Sequence, residues 1–358
     1  MILVTKPFLP KNEEYIKKVN TIFENNWITN NGPFSQKLEY EITNFLEIPS
    51  LHFLSNGTMA LHLSIKALDL KGEVITSPFS FVATTTSIIW EKCTPVYVDI
   101  HPDTLCIDPD KIEAAITKNT TAILATHVYG IPCDVEKIEI IAKKHNLKVI
   151  YDAAHAFGVK FKGKSLLNYG DISTLSFHAT KLFHTVEGGG IVNNLGEKLD
   201  KKITLLRNFG FEGDNYYLAG VNAKNSEFHA AMGLCNLPYV SEIINKRKKL
   251  VCKYNEILAD IVQRPSIPKE TEYNYSYYPI IFKTAEQLLN VQQVLLENKI
   301  QTRRYFFPSL NNLPYLYTSQ YCPISENIAS RVLCLPLYFD LEIEMVEEIA
   351  YKVREVCI

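Results

Sequence analysis

No uninterrupted apolar run in the 358-residue chain is long enough to cross a bilayer, and the start, Met1-Ile-Leu-Val-Thr-Lys-Pro, has no signal-peptide core. A cytoplasmic protein with no membrane partner is therefore expected. No charge of one sign dominates. Against 39 acidic residues stand 37 basic ones, for a net charge of -2, so nothing electrostatic points to nucleic acid or an anionic surface. No C-x-x-C pair occurs among the eight cysteines, at 93, 106, 133, 235, 252, 322, 334 and 357, which suggests neither zinc nor a redox pair, and buried free thiols are expected. Internal repeats, low-complexity tracts and a basic helix-turn-helix segment are also missing. What is present is an ordinary globular composition, 47% hydrophobic and 21% charged, in a chain long enough for two cores.

Apolar spacing predicts helices over 13–23 and 34–46, parted by the breaker-rich Asn25-Asn26 and Asn30-Asn31-Gly32-Pro33. Strands and helices then alternate. Strands are expected at 51–54, 73–77, 95–100, 121–126, 148–151, 172–177 and 190–193, and helices at 59–68, from 78 toward Trp90, at 108–116 and at 135–145. Alternation with short links implies an α/β fold with a mostly parallel sheet covered on both faces. A long helix over 238–260 leads into a smaller unit with a strand at 278–282, a helix at 286–297, a further strand at 300–306 and a last helix at 342–356. The expected division is a large domain over 1–237 and a small C-terminal α+β domain over 238–358.

In such sheets ligands sit beyond the carboxyl ends of the strands. Three segments fall at predicted strand ends: Ser55-Asn56-Gly57-Thr58, Asp152-Ala153-Ala154-His155-Ala156 and Ser176-Phe177-His178-Ala179-Thr180-Lys181. The first is a turn into a helix start, where free N–H groups and the positive helix end favour an anion. Thr58 there also suits a helix cap. In the third, the hydroxyls of Ser176 and Thr180 can bind a phosphate, and Gly188, Gly189 and Gly190 let backbone approach a cofactor or make an unusual turn. Lys181 stands between them. A lysine that attacks an aldehyde must be neutral, so it needs a site that depresses its pKa. Taken alone, the stretch also fits a surface lysine ahead of a glycine hairpin.

Together these segments resemble the DegT-type nucleotide-sugar aminotransferases, which depend on pyridoxal 5'-phosphate (PLP) and have fold type I. The resemblance runs from about Pro7 through Gly233 and continues weakly beyond. Further motifs occur in the family's order: Pro-Phe-Ser-Phe-Val-Ala-Thr at 78–84, Pro-Val-Tyr-Val-Asp at 95–99, His-Val-Tyr-Gly at 127–130, Glu-Gly-Gly at 187–189, Leu-Arg-Asn-Phe-Gly at 206–210 and Asn-Ala-Lys-Asn-Ser-Glu-Phe-His-Ala-Ala at 222–231. By resemblance, Lys181 holds the cofactor as a Schiff base and moves the proton, and Asp152 faces the pyridine nitrogen and keeps it protonated. His155 lies near the 3' oxygen, Phe81 stacks on the ring, and Gly57, Thr58 and Ser176 hold the phosphate. Asn222 reaches that phosphate in a neighbouring subunit, which implies a homodimer with shared sites. Competing readings stay open: a helix cap for Asp152, a satisfied buried histidine for His155, a core phenylalanine for Phe81. His178 has no assigned role. Asn225 departs from the methionine or leucine common in the family. Some relatives carry histidine in place of Lys181 and catalyse dehydration, so the lysine points to transamination.

The implied reaction moves an amino group from L-glutamate to a keto sugar on a nucleoside diphosphate. The expected acceptor is dTDP-4-keto-6-deoxyglucose, giving a 4-amino-4,6-dideoxyhexose for surface polysaccharide such as O-antigen. A 3-keto isomer is the alternative, and the nucleotide (dTDP, UDP or GDP) is not encoded. Asn30 to Pro33, His184 and the stretch Gln301-Thr302-Arg303-Arg304-Tyr305-Phe306 are expected at the sugar end, with Arg303 or Arg304 pairing with the diphosphate or else forming an exposed basic pair. Residues 211–217 are expected to form a mobile loop near the site. A PLP-fold regulator without turnover and a PLP lyase or decarboxylase are the rival classes.

Overall fold

A computed structural model describes residues 1–316 and 320–358. The chain opens with α1 (Asn12–Asn25) and α2 (Pro33–Leu46), and Pro33 starts α2 where its missing N–H would have had no helical partner. Then follow β1 (His52–Leu54), α3 (Gly57–Ala67), β2 (Glu73–Thr76), α4 (Val82–Trp90), β3 (Thr94–Tyr97), β4 (Thr120–Thr126), α5 (Val135–His145), β5 (Lys148–Asp152), β6 (Ile172–Ser176), β7 (Gly189–Asn193) and α6 (Glu197–Leu206). The remainder is α7 (Glu227–Asn236), α8 (Val240–Leu258), β8 (Tyr278–Ile281), α9 (Ala285–Glu297), α10 (Pro323–Arg331), β9 (Val332–Leu335) and α11 (Ile343–Cys357).

The central sheet has seven strands in the order β1-β7-β6-β5-β4-β2-β3. β2 through β6 run parallel, and β7 is antiparallel to both β1 and β6. Alternation along each strand supplies both faces with apolar side chains. Ile123, Ala125, Val149 and Tyr151 join one core, while Ala122, Leu124, Ile150 and Ile172 join another beneath α3, α4 and α6. A separate core gathers α8, α9 and α11 over the antiparallel pair β8–β9. Residues at the N-terminus belong to it too: Ile2 bridges to Ile300 and packs on this core.

Some expected elements differ. Residues 108–116 make two short 3₁₀ turns instead of a helix, with the Asp108 carboxylate capping the start of the first by accepting from the Asp110 N–H. The segment 300–306 forms no strand, because it meets Ile2 at one point and Cys334 at another and so has no neighbour to build a ladder with. Residues 211–217 hold a short antiparallel ribbon, Phe211–Glu212 with Asn215–Tyr216. Six cysteines are buried, but Cys252 is exposed and Cys357 is half-buried. Among the described residues no helix is long and apolar enough to cross a membrane.

Candidate active site

Sheet register brings the candidates together. Asp152 ends β5 and pairs with Thr174 of β6. The strand period of two therefore puts Asp152, Thr174 and Ser176 on one face, the face under α3 and α4. Ser176 in turn pairs with Gly189 of β7. A Cβ on Gly189 would lie 2.3 Å from the Asn56 carbonyl carbon and 2.6 Å from the Gly57 nitrogen. Gly189 thus lets the start of α3 settle against β7. Its close approach is to this backbone. At that helix start the Asn56 side chain accepts from the Met59 N–H at 2.8 Å, leaving the amides of Gly57 and Thr58 without intrahelical partners. A Cβ on Gly57 would meet the Ser176 Cβ at 3.0 Å, so the turn and the serine form one narrow cradle.

Gly57, Thr58, Asp152, Thr174 and Ser176 line a cavity of about 290 Å³ together with Phe81, His155, His178, Thr180, Lys181 and Glu187, and with Arg303, Tyr305 and Phe306 from the later segment. Phe81 is 50% exposed, so it is no core residue; it stands just before α4 with its ring at the cavity wall. Asp152 is buried and no helix follows it. Its Oδ2 accepts from the Thr84 hydroxyl at 2.7 Å and its Oδ1 from the Ala154 N–H at 3.2 Å. Ser80 extends this network to Thr84 and Thr126, at 2.8 and 2.9 Å. Burial raises the Asp152 pKa, and the bonds from Thr84 and Ala154 and the charge of Lys181 pull it back. Burial likewise lowers the Lys181 pKa to about 8, with the Asp152 carboxylate opposing and the Arg303 charge adding to the fall. That is the depressed lysine which aldehyde chemistry requires.

His155 is held neutral by burial, helped by the nearby Lys181 charge. Its Nδ1 accepts from the Tyr129 N–H at 3.2 Å, which assigns the ring proton to Nε2. Tyr277 packs against this ring at 4.6 Å, and Phe306 lies parallel to it at 5.7 Å. At the exposed rim, His178 Nε2 is 3.5 Å from the Glu187 carboxylate, and its Nδ1 is 2.8 Å from the Thr180 hydroxyl.

Other candidates lie elsewhere. His184 is fully enclosed outside the cavity. Its Nε2–H donates to the Phe8 carbonyl at 2.7 Å and its Nδ1 accepts from the Val186 N–H at 3.2 Å, so both nitrogens are already used. Arg304 packs its guanidinium 3.5 Å from the Phe307 ring centroid and donates to the Ser330 carbonyl, away from the cavity. The 30–33 turn precedes α2, whose Phe34 and Ser35 amides donate to the buried Glu227 at 2.6 and 2.9 Å. Asn222 is exposed, bridges to Asn208 and does not line the cavity of its own chain. Sequence reasoning missed Thr84, which holds Asp152, and Ser80, Thr126 and Glu187 as parts of the wall, with Tyr277 packed behind His155. The first two lay inside the quoted 78–84 motif, but nothing local marked their hydroxyls as turned toward Asp152.

The fold and this cavity define a sugar-aminotransferase architecture, and the chain belongs to the DegT/DnrJ/EryC1/StrS aminotransferase family, whose model matches residues 10–354. A dTDP-4-amino-4,6-dideoxy-D-glucose transaminase of Shigella dysenteriae is 44% identical over 99% of this chain and 99% of its own length. A transaminase of the same name from Escherichia coli is 41% identical over 97% of this chain and 96% of its own. Among solved structures, DesI in the presence of its TDP-sugar product superposes with a TM-score of 0.94 at 32% identity, covering 99% of this chain and 93% of that one.

Proposed function

We propose that the protein transfers the amino group of L-glutamate to the C4 carbonyl of dTDP-4-keto-6-deoxyglucose, forming dTDP-4-amino-4,6-dideoxyglucose for surface polysaccharide such as O-antigen lipopolysaccharide, and that it does so in the cytoplasm with PLP as cofactor. The observation that carries this reading is the convergence of Lys181, its pKa lowered to about 8, with a buried carboxylate and an open helix start in one cavity. Two full-length relatives above 40% identity named for this product support the choice of acceptor over a 3-keto isomer.

The donor set suits the cofactor. The free amides of Gly57 and Thr58 and the Ser176 hydroxyl are donors for its phosphate. Asp152, fixed by Thr84, is the partner for a protonated pyridine nitrogen. His155 presents its Nε2 proton as a donor for the ring's phenolic oxygen, and Phe81 covers one ring face. Bound there, PLP supplies an electron sink for the bond broken at the donor's α-carbon. Lys181 Nζ takes the proton from that carbon and, in the second half-reaction, returns one to C4 of the sugar. Glutamate leaves as 2-oxoglutarate between the two halves.

A homodimer is part of the proposal. Around Asn222, Phe209, Tyr216, Tyr217 and Val221 are 42–80% exposed, an apolar surface suited to cover by a second copy. The partner subunit's Asn222 would then add a phosphate donor to this cavity. The reading is tested by incubating the holoenzyme with L-glutamate and dTDP-4-keto-6-deoxyglucose, then following 2-oxoglutarate and the mass of the amino sugar. UDP, GDP and 3-keto analogues run in parallel fix nucleotide and carbon. If none of these acceptors supports 2-oxoglutarate release beyond one equivalent per cofactor, the reading is removed.

A further inference from the structure

One wall of the cavity carries a cation with no anion of its own. Arg303 lines the cavity beside Tyr305 and Phe306, and its guanidinium carbon lies 4.5 Å from the Tyr305 ring centroid. Its backbone is tied in both directions to Cys334 of β9, at 3.2 and 2.8 Å, so that strand sets its position. Among the described residues, arginine ion pairs join Arg207 to Glu39 and Arg354 to Asp260, and none involves Arg303. The two carboxylates of the cavity are committed elsewhere, Asp152 to Thr84 and Ala154 and Glu187 toward His178. Arg304, next in the chain, turns away onto Phe307.

We propose that Arg303 receives the α-carboxylate of the amino-acid donor, and not the diphosphate of the sugar acceptor. A planar guanidinium braced on an aromatic face presents a two-pronged donor that matches a carboxylate. Its charge is felt at Lys181, so its anion sits close to the atom that moves the proton. In an amino acid the carboxylate is bonded to the very carbon that loses that proton. In a nucleotide-linked 4-keto sugar the first phosphate lies across the whole ring from the reacting carbon. The guanidinium is also exposed, free to shift when the uncharged sugar ring follows the donor into the same space.

The inference rests on the aminotransferase reading, and the test separates the two. The halves are followed singly by absorbance: the PLP-loaded enzyme with L-glutamate, then the aminated enzyme with the keto sugar. If the unmodified enzyme performs neither half, the aminotransferase reading fails before Arg303 is reached. In R303Q the apparent constant for glutamate should rise by about 30-fold or more, the loss of a charge-assisted pair. The sugar half should change by less than about 3-fold. Spectral titration with 2-methyl-L-glutamate, which keeps the α-carboxylate and has no α-proton, should weaken by the same factor as glutamate without any turnover. R303K should recover part of the loss, and it carries the comparison if R303Q does not fold. A larger loss in the sugar half, an equal loss in both, or no loss in either overturns the assignment.

Discussion

The two sides of the cavity are built differently. One side comes from the central sheet: the α3 start, Asp152 and Ser176 are placed by strand register, and Asp152 is locked by a chain of hydroxyls through Thr84, Ser80 and Thr126. The other comes from the irregular segment tied to β9 and from the rim, where Arg303, His178 and Glu187 are exposed and loosely partnered. A rigid, fully bonded wall suits a group that stays through every turnover. A wall with spare donors suits two substrates that must alternate in one place.

This contrast can be broken most sharply at Lys181. K181A should lower turnover by about four orders of magnitude or more and abolish the cofactor band above about 400 nm. Residual turnover within tenfold of the unmodified enzyme would mean that another group moves the proton. On the same rigid side, D152N should reduce the glutamate half-reaction by about 10³-fold, and T84A by about tenfold, because Thr84 acts only through the carboxylate it holds. A T84A loss as large as that of D152N would give the hydroxyl a direct role.

A third test joins the two sides through pH. Lys181 titrates at about 8 in the cofactor-free protein, and the amine is reactive only when unprotonated. Uptake of PLP should therefore rise by about tenfold between pH 7 and pH 9. Asp152 raises this pKa and Arg303 lowers it, so D152N should shift the midpoint to lower pH and R303Q to higher pH. Shifts of the opposite sign would contradict the arrangement of charges. The smallest functional effect belongs to His184. H184A removes bonds to Phe8 and Val186, and should lower stability by about 2 kcal/mol in denaturant unfolding while leaving the cofactor spectrum and both half-reactions intact.

Legibility in the sequence follows the range of the interactions. The apolar period marked α5 at 135–145 and the parallel strands, since burial on both faces writes itself into neighbouring residues. The 300–306 segment is expected as a strand, yet pairing depends on partners, here Ile2 and Cys334, that local pattern does not reveal. His184 is expected at the sugar end, and its place is decided by the Phe8 carbonyl, 176 residues away along the chain. The adjacent Arg303 and Arg304 were indistinguishable in one dimension.

The sequence by itself determined the alternating α/β order, the strand ends at which Asp152, Ser176 and the α3 turn stand, and Lys181 as the one lysine between Ser176 and Gly190, because each depends on local period and turn chemistry. Tertiary structure alone decided which hydroxyls fix Asp152, that Gly189 makes room for the start of α3, and that of two neighbouring arginines Arg303 faces the cavity. Those outcomes depend on packing between segments far apart in the chain, where close contact and desolvation, absent from any local pattern, set both position and charge state.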